Sequence, residues 1–194
     1  CSGLTSIEIP NSVTSIGSSA FSGCSGLTGE LVIPNLVTSI GSEAFAYCRS
    51  LTSVTIPDSV KHIGDSAFSG CTGELIINSK ELVTTDYTSA DYPMRNGWLA
   101  DSNFTKLTIG NGVTSIGKHT FSGCSSLTSV TIPDSVTWIG YSAFSGCHSL
   151  TSVNISDLSA WCKISLGSYS ANPLCYGAKL YLNGSELTEI TIPS

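Results

Sequence analysis

The residues in this sequence best equipped for chemistry are its cysteines, and their spacing indicates what they are for. Six of the eight, Cys1, Cys24, Cys48, Cys71, Cys124 and Cys147, occupy one position of a repeat, the one that follows a Phe in the full copies. Stacked copies would set these side chains nearly 5 Å apart and pointing in parallel into the interior, which is loose range for a disulfide but the wrong direction for one. They are expected as buried free thiols. No Cys-x-x-Cys pair supports a zinc site. Cys162 and Cys175 lie outside this ladder, 13 residues apart; in an exported protein they either bridge or stay as free thiols.

The other chemical groups do not converge. His62, His119 and His148 fall in three different registers of the repeat, so they are expected as separate surface residues with neither a catalytic nor a metal role. Asp86, Asp91 and Asp101 crowd one irregular stretch, but without the ligand spacing of a calcium loop. A solvated loop accounts for them. No catalytic residue, metal or cofactor is therefore expected. Trp138 and Tyr141 replace the small residues Ser15 or Ser39 and Ser18 of other copies, where they serve either as interface anchors or as packing over a neighbouring coil. Trp161, Tyr169, Tyr176 and Tyr181 are expected to fill a small core of their own. Asn103, Asn154 and Asn183 begin Asn-x-Ser/Thr sequons, which matter only where exported proteins are glycosylated.

Composition narrows the class. Charged residues make up 11% of the chain, against roughly 25% in an average globular protein; hydrophobic residues make up 41%, ample for a core. Ser, Thr and Gly fill much of the rest, so the surface is rich in hydroxyls. Eight Lys and Arg stand against fourteen Asp and Glu, a net charge of −6, and no basic cluster exists to neutralise phosphates. Nucleic acid is an unsuitable partner. No apolar run approaches the roughly 20 residues of a membrane-spanning helix, and the first residues lack the pattern of a signal peptide.

The elements that position these groups come from a repeat of about 23 residues. Taking the Ile before the Pro-type turn as anchor gives Ile9, Ile33, Ile56, Ile77, Ile109, Ile132, Ile155 and Ile192, with spacings of 24, 23, 21, 32, 23, 23 and 37. Within one copy, Val130 and Ile132 alternate with Ser129 and Thr131, the mark of a short half-buried strand that Pro133 ends. Val136 and Ile139 precede Gly140, and Ala143, Phe144 and Cys147 follow on a short helical or 3₁₀ segment. One such coil cannot bury its own apolar side chains, so copies must stack with their strands in parallel ladders. About eight coils would make a rod on the order of 40 Å long.

The repeated string LxxVxIPxxVxxIGxxAFxxCxxL resembles the BspA-like, or Treponema-pallidum-type, leucine-rich repeats. The resemblance covers residues 1–77 and 107–155 directly, and the stretches SDLSAWCKISLGSYSANPL with KLYLNG, and GELIINSK with KLTIG, resemble interruptions in such arrays. It implies a right-handed leucine-rich-repeat solenoid of parallel strands, mainly β with short helical or 3₁₀ segments, running as a single unit over 1–194 with interruptions at about 78–106 and 156–182. Cys1 at the Cys24 position and the stop after Ile192-Pro193-Ser194 suggest a piece of a longer array, with signal and anchor regions outside it. The family also implies a secreted or cell-surface adhesion protein that carries no catalytic residues.

The expected function is a binding module. Its outward strand residues Glu8, Val32, Thr55, Thr108, Thr131 and Asn154 would form a shallow face for a protein or glycan of a host cell, a neighbouring cell or the matrix. Trp138, with Tyr92 and Trp98 from the first interruption, would supply specificity; alternatively Tyr92, Trp98 and Phe104 simply pack that insertion down. Two rivals remain: a structural spacer within a larger surface protein, and a polysaccharide-processing β-helix, against which the scarcity of strand-borne acid pairs argues.

Overall fold

The computed structural model describes residues 3–87 and 97–189. The Val-x-Ile alternation produces a short strand in each regular copy. In β9 (Ser129–Thr131) Val130 is buried between half-exposed neighbours, and Ile132 then turns inward ahead of Pro133. The corresponding strands are β2 (Gly29–Val32), β4 (Leu51–Ile56), β6 (Thr72–Ile77), β7 (Asn103–Ile109), β11 (Ser152–Ile155) and β13 (Lys179–Leu182). All pair in parallel in the order β2-β4-β6-β7-β9-β11-β13, and β14 (Ser185–Glu186) turns back antiparallel on β13. Leu31, Val54, Leu75, Leu107, Val130, Val153 and Leu180 form one inward column. A slip of one residue would turn the whole column to solvent, which fixes the register. Seven parallel strands at roughly 4.8 Å give a wall about 30 Å long.

A second wall carries the two-residue strands of the Val-x-x-Ile-Gly segment: β1 (Ser15–Ile16), β3 (Ser39–Ile40) and β5 (His62–Ile63) form one sheet. The strands β8 (Ser115–Ile116), β10 (Trp138–Ile139) and β12 (Ser165–Leu166) form another. Coils touch here backbone to backbone. A Cβ on Gly41 would run into the backbone of Ser18, and one on Gly64 into that of Ser42, which is why this position is glycine.

Between these two small sheets lies α1 (Lys80–Thr84). Ser79 starts it: its hydroxyl accepts from Leu82 N at 3.3 Å and donates to Val60 O at 2.6 Å, while Glu81 suits the first turn. Leu82 and Val83 are buried, and Gly117 N donates to Val83 O at 2.8 Å. The helix thus takes the place of a second-wall strand. The described parts of the segment expected as an interruption at 78–106, residues 78–87 and 97–106, belong to one coil of the stack.

The Phe and Cys positions make the third side. Phe21, Phe45 and Phe68 stack with centroids 5.3 and 5.7 Å apart, as do Phe121 and Phe144 at 5.6 Å. The bonds Ala100 N to Gly97 O and Ser102 N to Leu99 O repeat those of Ala46 N to Glu43 O and Cys48 N to Phe45 O, which puts the buried Leu99 where a Phe belongs. Trp98 and Phe104 pack beside it, each edge-on to Phe68 at 6.3 Å.

The last expected interruption, 156–182, is also a coil. Asp157 caps α2 (Leu158–Cys162) through Ser159 N at 2.7 Å and Ala160 N at 3.1 Å. The strand β12 and a 3₁₀ turn, Tyr169–Ala171, follow, and Leu182 pairs in register with Ile155. Leu182, 27 residues after Ile155, is therefore the next anchor; Ile192 lies outside the described residues. At the other end, Ile9 belongs to no strand. Its segment is tied to the sheet by Thr28 N to Thr5 O at 3.1 Å, with Ile7 and Ile9 half-buried against the core.

Candidate functional site

The outward faces of the seven strands form two columns. One includes Glu30, Ser53, Glu74, Lys106 and Ser129; the other runs Val32, Thr55, Ile76, Thr108, Thr131, Asn154, Tyr181. Thr55, Thr108, Thr131 and Asn154 thus stand on one face, as the spacing predicts. Thr55 Oγ1 donates to Glu30 Oε1 at 3.2 Å and Thr108 Oγ1 to Glu74 Oε1 at 2.6 Å. Asn154 Nδ2 donates to Ser129 Oγ at 3.0 Å and Val130 O at 3.3 Å, so this sequon asparagine is engaged within the sheet. Asn103 and Asn183 are exposed.

Where these strands end, a groove of about 400 Å³ opens, lined by Thr108, Thr131 and Asn154 together with Asn78, Asn111, Pro133, Ser156 and Asn183. Ser156 Oγ is held by Asp134 Oδ1 at 2.7 Å and Asn183 Nδ2 by Ser156 O at 3.4 Å. Asn183 and Gly184, both at positive φ, form the turn between β13 and β14, a pairing favoured in two-residue hairpins. This groove was not foreseen from the sequence, since Asn78, Asn111 and Asn183 each sit just past a strand in a different local motif. Their common height becomes apparent only once Leu182 is recognised as an anchor.

Many of the remaining hydroxyls are committed to structure. Thr28, Thr72, Thr105, Thr128 and Thr151 donate to the carbonyls of Thr5, Arg49, Gly73, Thr105 and Thr128 in the preceding coil at 2.9 to 3.3 Å. Thr38 and Thr137 do the same to Thr14 and Thr114 on the second wall at 3.3 and 3.2 Å.

The other expected contact residues separate. Trp98 is 3% exposed and packs against Phe68, which corrects its expected place on the surface in favour of the alternative, that it packs the insertion down. Phe104 is buried likewise. Tyr92 lies outside the described residues. Glu8 is exposed but precedes the first strand of the sheet, so it is not part of the ladder face. Trp138 belongs to the second wall, half-buried between Ser115 and Ser165, with its ring against Gly140. Two outward residues, Ile76 and Tyr181, complete the column and were missed; Ile76 was legible as the neighbour of the anchor Ile77.

The chemistry of the titratable groups is quiet. Cys24, Cys48, Cys71 and Cys147 are buried free thiols. The Sγ–H groups of Cys48, Cys71 and Cys147 donate to Phe21, Phe45 and Phe121 carbonyls at 3.2, 3.2 and 3.3 Å. Burial pushes Cys48 up to about 11 and Cys71 and Cys147 up to about 12. Cys162 and Cys175 are free thiols, the first exposed and the second half-buried. Asp86 accepts from Lys118 N at 2.8 Å and pairs with Lys118 Nζ at 2.9 Å, which holds its carboxyl below the usual range. His119 and His148 lie edge-on to Tyr141 and Tyr176 at 5.7 and 4.6 Å, far along the coil from each other, and burial lowers the His119 pKa. Among the described residues no group of three or more His, Cys, Asp or Glu could hold a metal ion, and no helix is long and apolar enough to cross a membrane.

The chain is similar to several solved leucine-rich repeat proteins. A leucine-rich cell surface protein of Faecalibacterium prausnitzii A2-165 is 32% identical over 84% of this chain and 51% of its own, with a TM-score of 0.46. A leucine-rich repeat protein of Bacteroides ovatus is 29% identical over 95% of this chain and 39% of its own, TM-score 0.45. The T. pallidum leucine-rich repeat protein is 23% identical over 77% and 57%, TM-score 0.39. The chain thus spans between about two fifths and three fifths of these proteins. No curated protein matches it. The model of the BspA type leucine-rich repeat region matches in six copies over residues 1–90 and 94–194, and the chain belongs to that family.

Proposed function

We propose that this protein is a non-catalytic binding module, displayed at a cell surface or secreted, whose ladder face engages a protein or glycan of a host cell, a neighbouring cell or the matrix. The observation that carries the reading is the polar groove at the strand ends, where Thr108, Thr131 and Asn154 from three successive coils line one concavity. Each is anchored in a parallel ladder, so little ordering entropy opposes association, and weak contacts repeated along the array add. Membership of the family supports an extracellular setting.

A specific observation favours a second reading, a structural spacer: threonines just before the strands, such as Thr128 and Thr151, spend their hydroxyls on the backbone of the preceding coil. One experiment separates the two. The protein is immobilised and its retention of whole cells, matrix proteins and arrayed glycans is measured beside Thr108→Glu/Thr131→Glu and, on the other wall, Trp138→Ala. A binding module loses retention in the first variant and keeps it in the second. Equal retention by all three proteins refutes the proposed face, and retention of nothing at all supports the spacer.

A further inference from the structure

We infer that the groove at the strand ends takes a neutral, hydroxyl-rich saccharide chain, lying across the strands with one polar side chain offered by each coil. The inference rests on the binding-module reading and names its ligand class.

The first argument is charge. The groove's lining contains no Asp, Glu, Lys, Arg or His, in a protein whose net charge is −6. Two carboxylates adjoin it, and each is engaged by a lining hydroxyl: Glu74 by Thr108 Oγ1 and Asp134 by Ser156 Oγ. An anionic ligand finds no cation there to offset its desolvation, and a cationic one finds no open carboxylate.

The second is valency. Asn78, Asn111, Asn154 and Asn183 each carry an amide with donors and an acceptor, and Thr108 and Thr131 add hydroxyls. A sugar hydroxyl is also at once donor and acceptor, so it can pair with any of these in either sense. Asn78 and Asn111 are exposed and Thr131 half-exposed, and none of the three side chains makes a hydrogen bond within the chain among the described residues. These polar groups stand ready for a ligand, unlike the threonines committed to the backbone.

The third is shape. The lining runs from Asn78, after β6, to Asn183, after β13, which is four strand steps or about 19 Å. Such a trough suits a linear chain rather than a single compact molecule. Pro133 lies along it, and Tyr181 follows Asn154 in the outward column, so apolar surface is available to the carbon–hydrogen faces of sugar rings. A peptide joining by strand pairing would need an open sheet edge, whereas this groove crosses the ends of paired strands.

The test uses the whole chain on an array of neutral oligosaccharides beside sialylated and sulfated ones, followed by calorimetry with the strongest neutral binder. The probe variants are Asn111→Ala and Thr131→Val, alone and together, with thermal unfolding as the control for folding. The inference expects binding of neutral chains, weakened roughly tenfold or more in the double variant as one to two hydrogen bonds are lost, with an unchanged unfolding midpoint. It is overturned if only acidic glycans bind, if the double variant binds neutral chains as the wild type does, or if no neutral oligosaccharide binds. In that last case, retention of cells or matrix proteins that still fails in Thr108→Glu/Thr131→Glu leaves the binding-module reading standing; loss of both removes both.

Discussion

Raising the pH should unfold this protein through its thiols. Cys71 and Cys147 are wholly buried, and their pKa stands at about 12 against an ordinary 9.0, that of Cys48 at about 11. Because the folded state holds these protons more tightly than the unfolded chain, their contribution to stability is complete below about pH 9 and is lost as the pH climbs towards 12. Over that interval each thiol removes about 1.4 kcal/mol per pH unit. The three together cost about 4 kcal/mol by pH 10 and about 8 by pH 11, a large part of the 5 to 15 kcal/mol that ordinary folds possess. Denaturant midpoints measured from pH 8 to 11 give the slope. In Cys71→Ala/Cys147→Ala the ladder's share should fall to roughly a half, because Cys48 and Cys124, whose pKa desolvation also raises, remain, while lysine and tyrosine titrations stay common to both proteins. Parallel slopes in wild type and variant would refute the thiols as its source. So would rapid modification of these thiols in the native protein at pH 8.

Four substitutions probe the coil itself, each read from the denaturant midpoint. Phe144→Ala removes a fully buried ring stacked on Phe121 and should cost about 3 to 5 kcal/mol; a loss within error would place Phe144 outside the core. Gly41→Ala forces a methyl onto the backbone of Ser18 and should cost about 1 to 3 kcal/mol by overpacking, whereas Gly17→Ala, with open space around it, should cost less than about 1 kcal/mol. Ser79→Ala takes the cap from α1 and the donor from Val60 O and should cost about 1 to 3 kcal/mol.

The period made most of this architecture legible, because a stacked coil repeats its burial at fixed positions: the Val130 and Ile132 pattern located the strands, and the Phe144 and Cys147 positions located the core of the third side. Where a coil keeps its place but changes its length, the period is silent. Lys80–Thr84 does a strand's work as a helix, since Ser79 caps it while Leu82 and Val83 supply the inward contacts, and no repeat position announces this. Leu182 was hidden behind Ile192 because the anchor was sought as an Ile before a Pro-type turn, whereas here a Leu precedes the Asn183-Gly184 turn. Trp98 was misplaced for a related reason: a Trp in an irregular stretch resembles a contact residue until Leu99 is seen to hold the Phe position with Trp98 packed edge-on to Phe68. The groove was the least legible feature, since its asparagines come from loops whose alignment depends on the register of strands far apart in sequence.

The two walls differ in continuity. The large sheet runs unbroken from β2 to β13, but the second wall stops at β5 and resumes at β8, with α1 between. In a stacked array stability passes only between neighbours, so the molecule has a spine on one side and a seam on the other. Fluctuations should find the seam first. Amides around Gly64 and Gly117, which bond across coils on either side of α1, should exchange with solvent through small local openings, while those of β4, β6 and β7 wait for the coils themselves to part. A fold that looks uniform along its axis would thus open as two blocks hinged along the ladder face, leaving the face that carries the groove the last part to move.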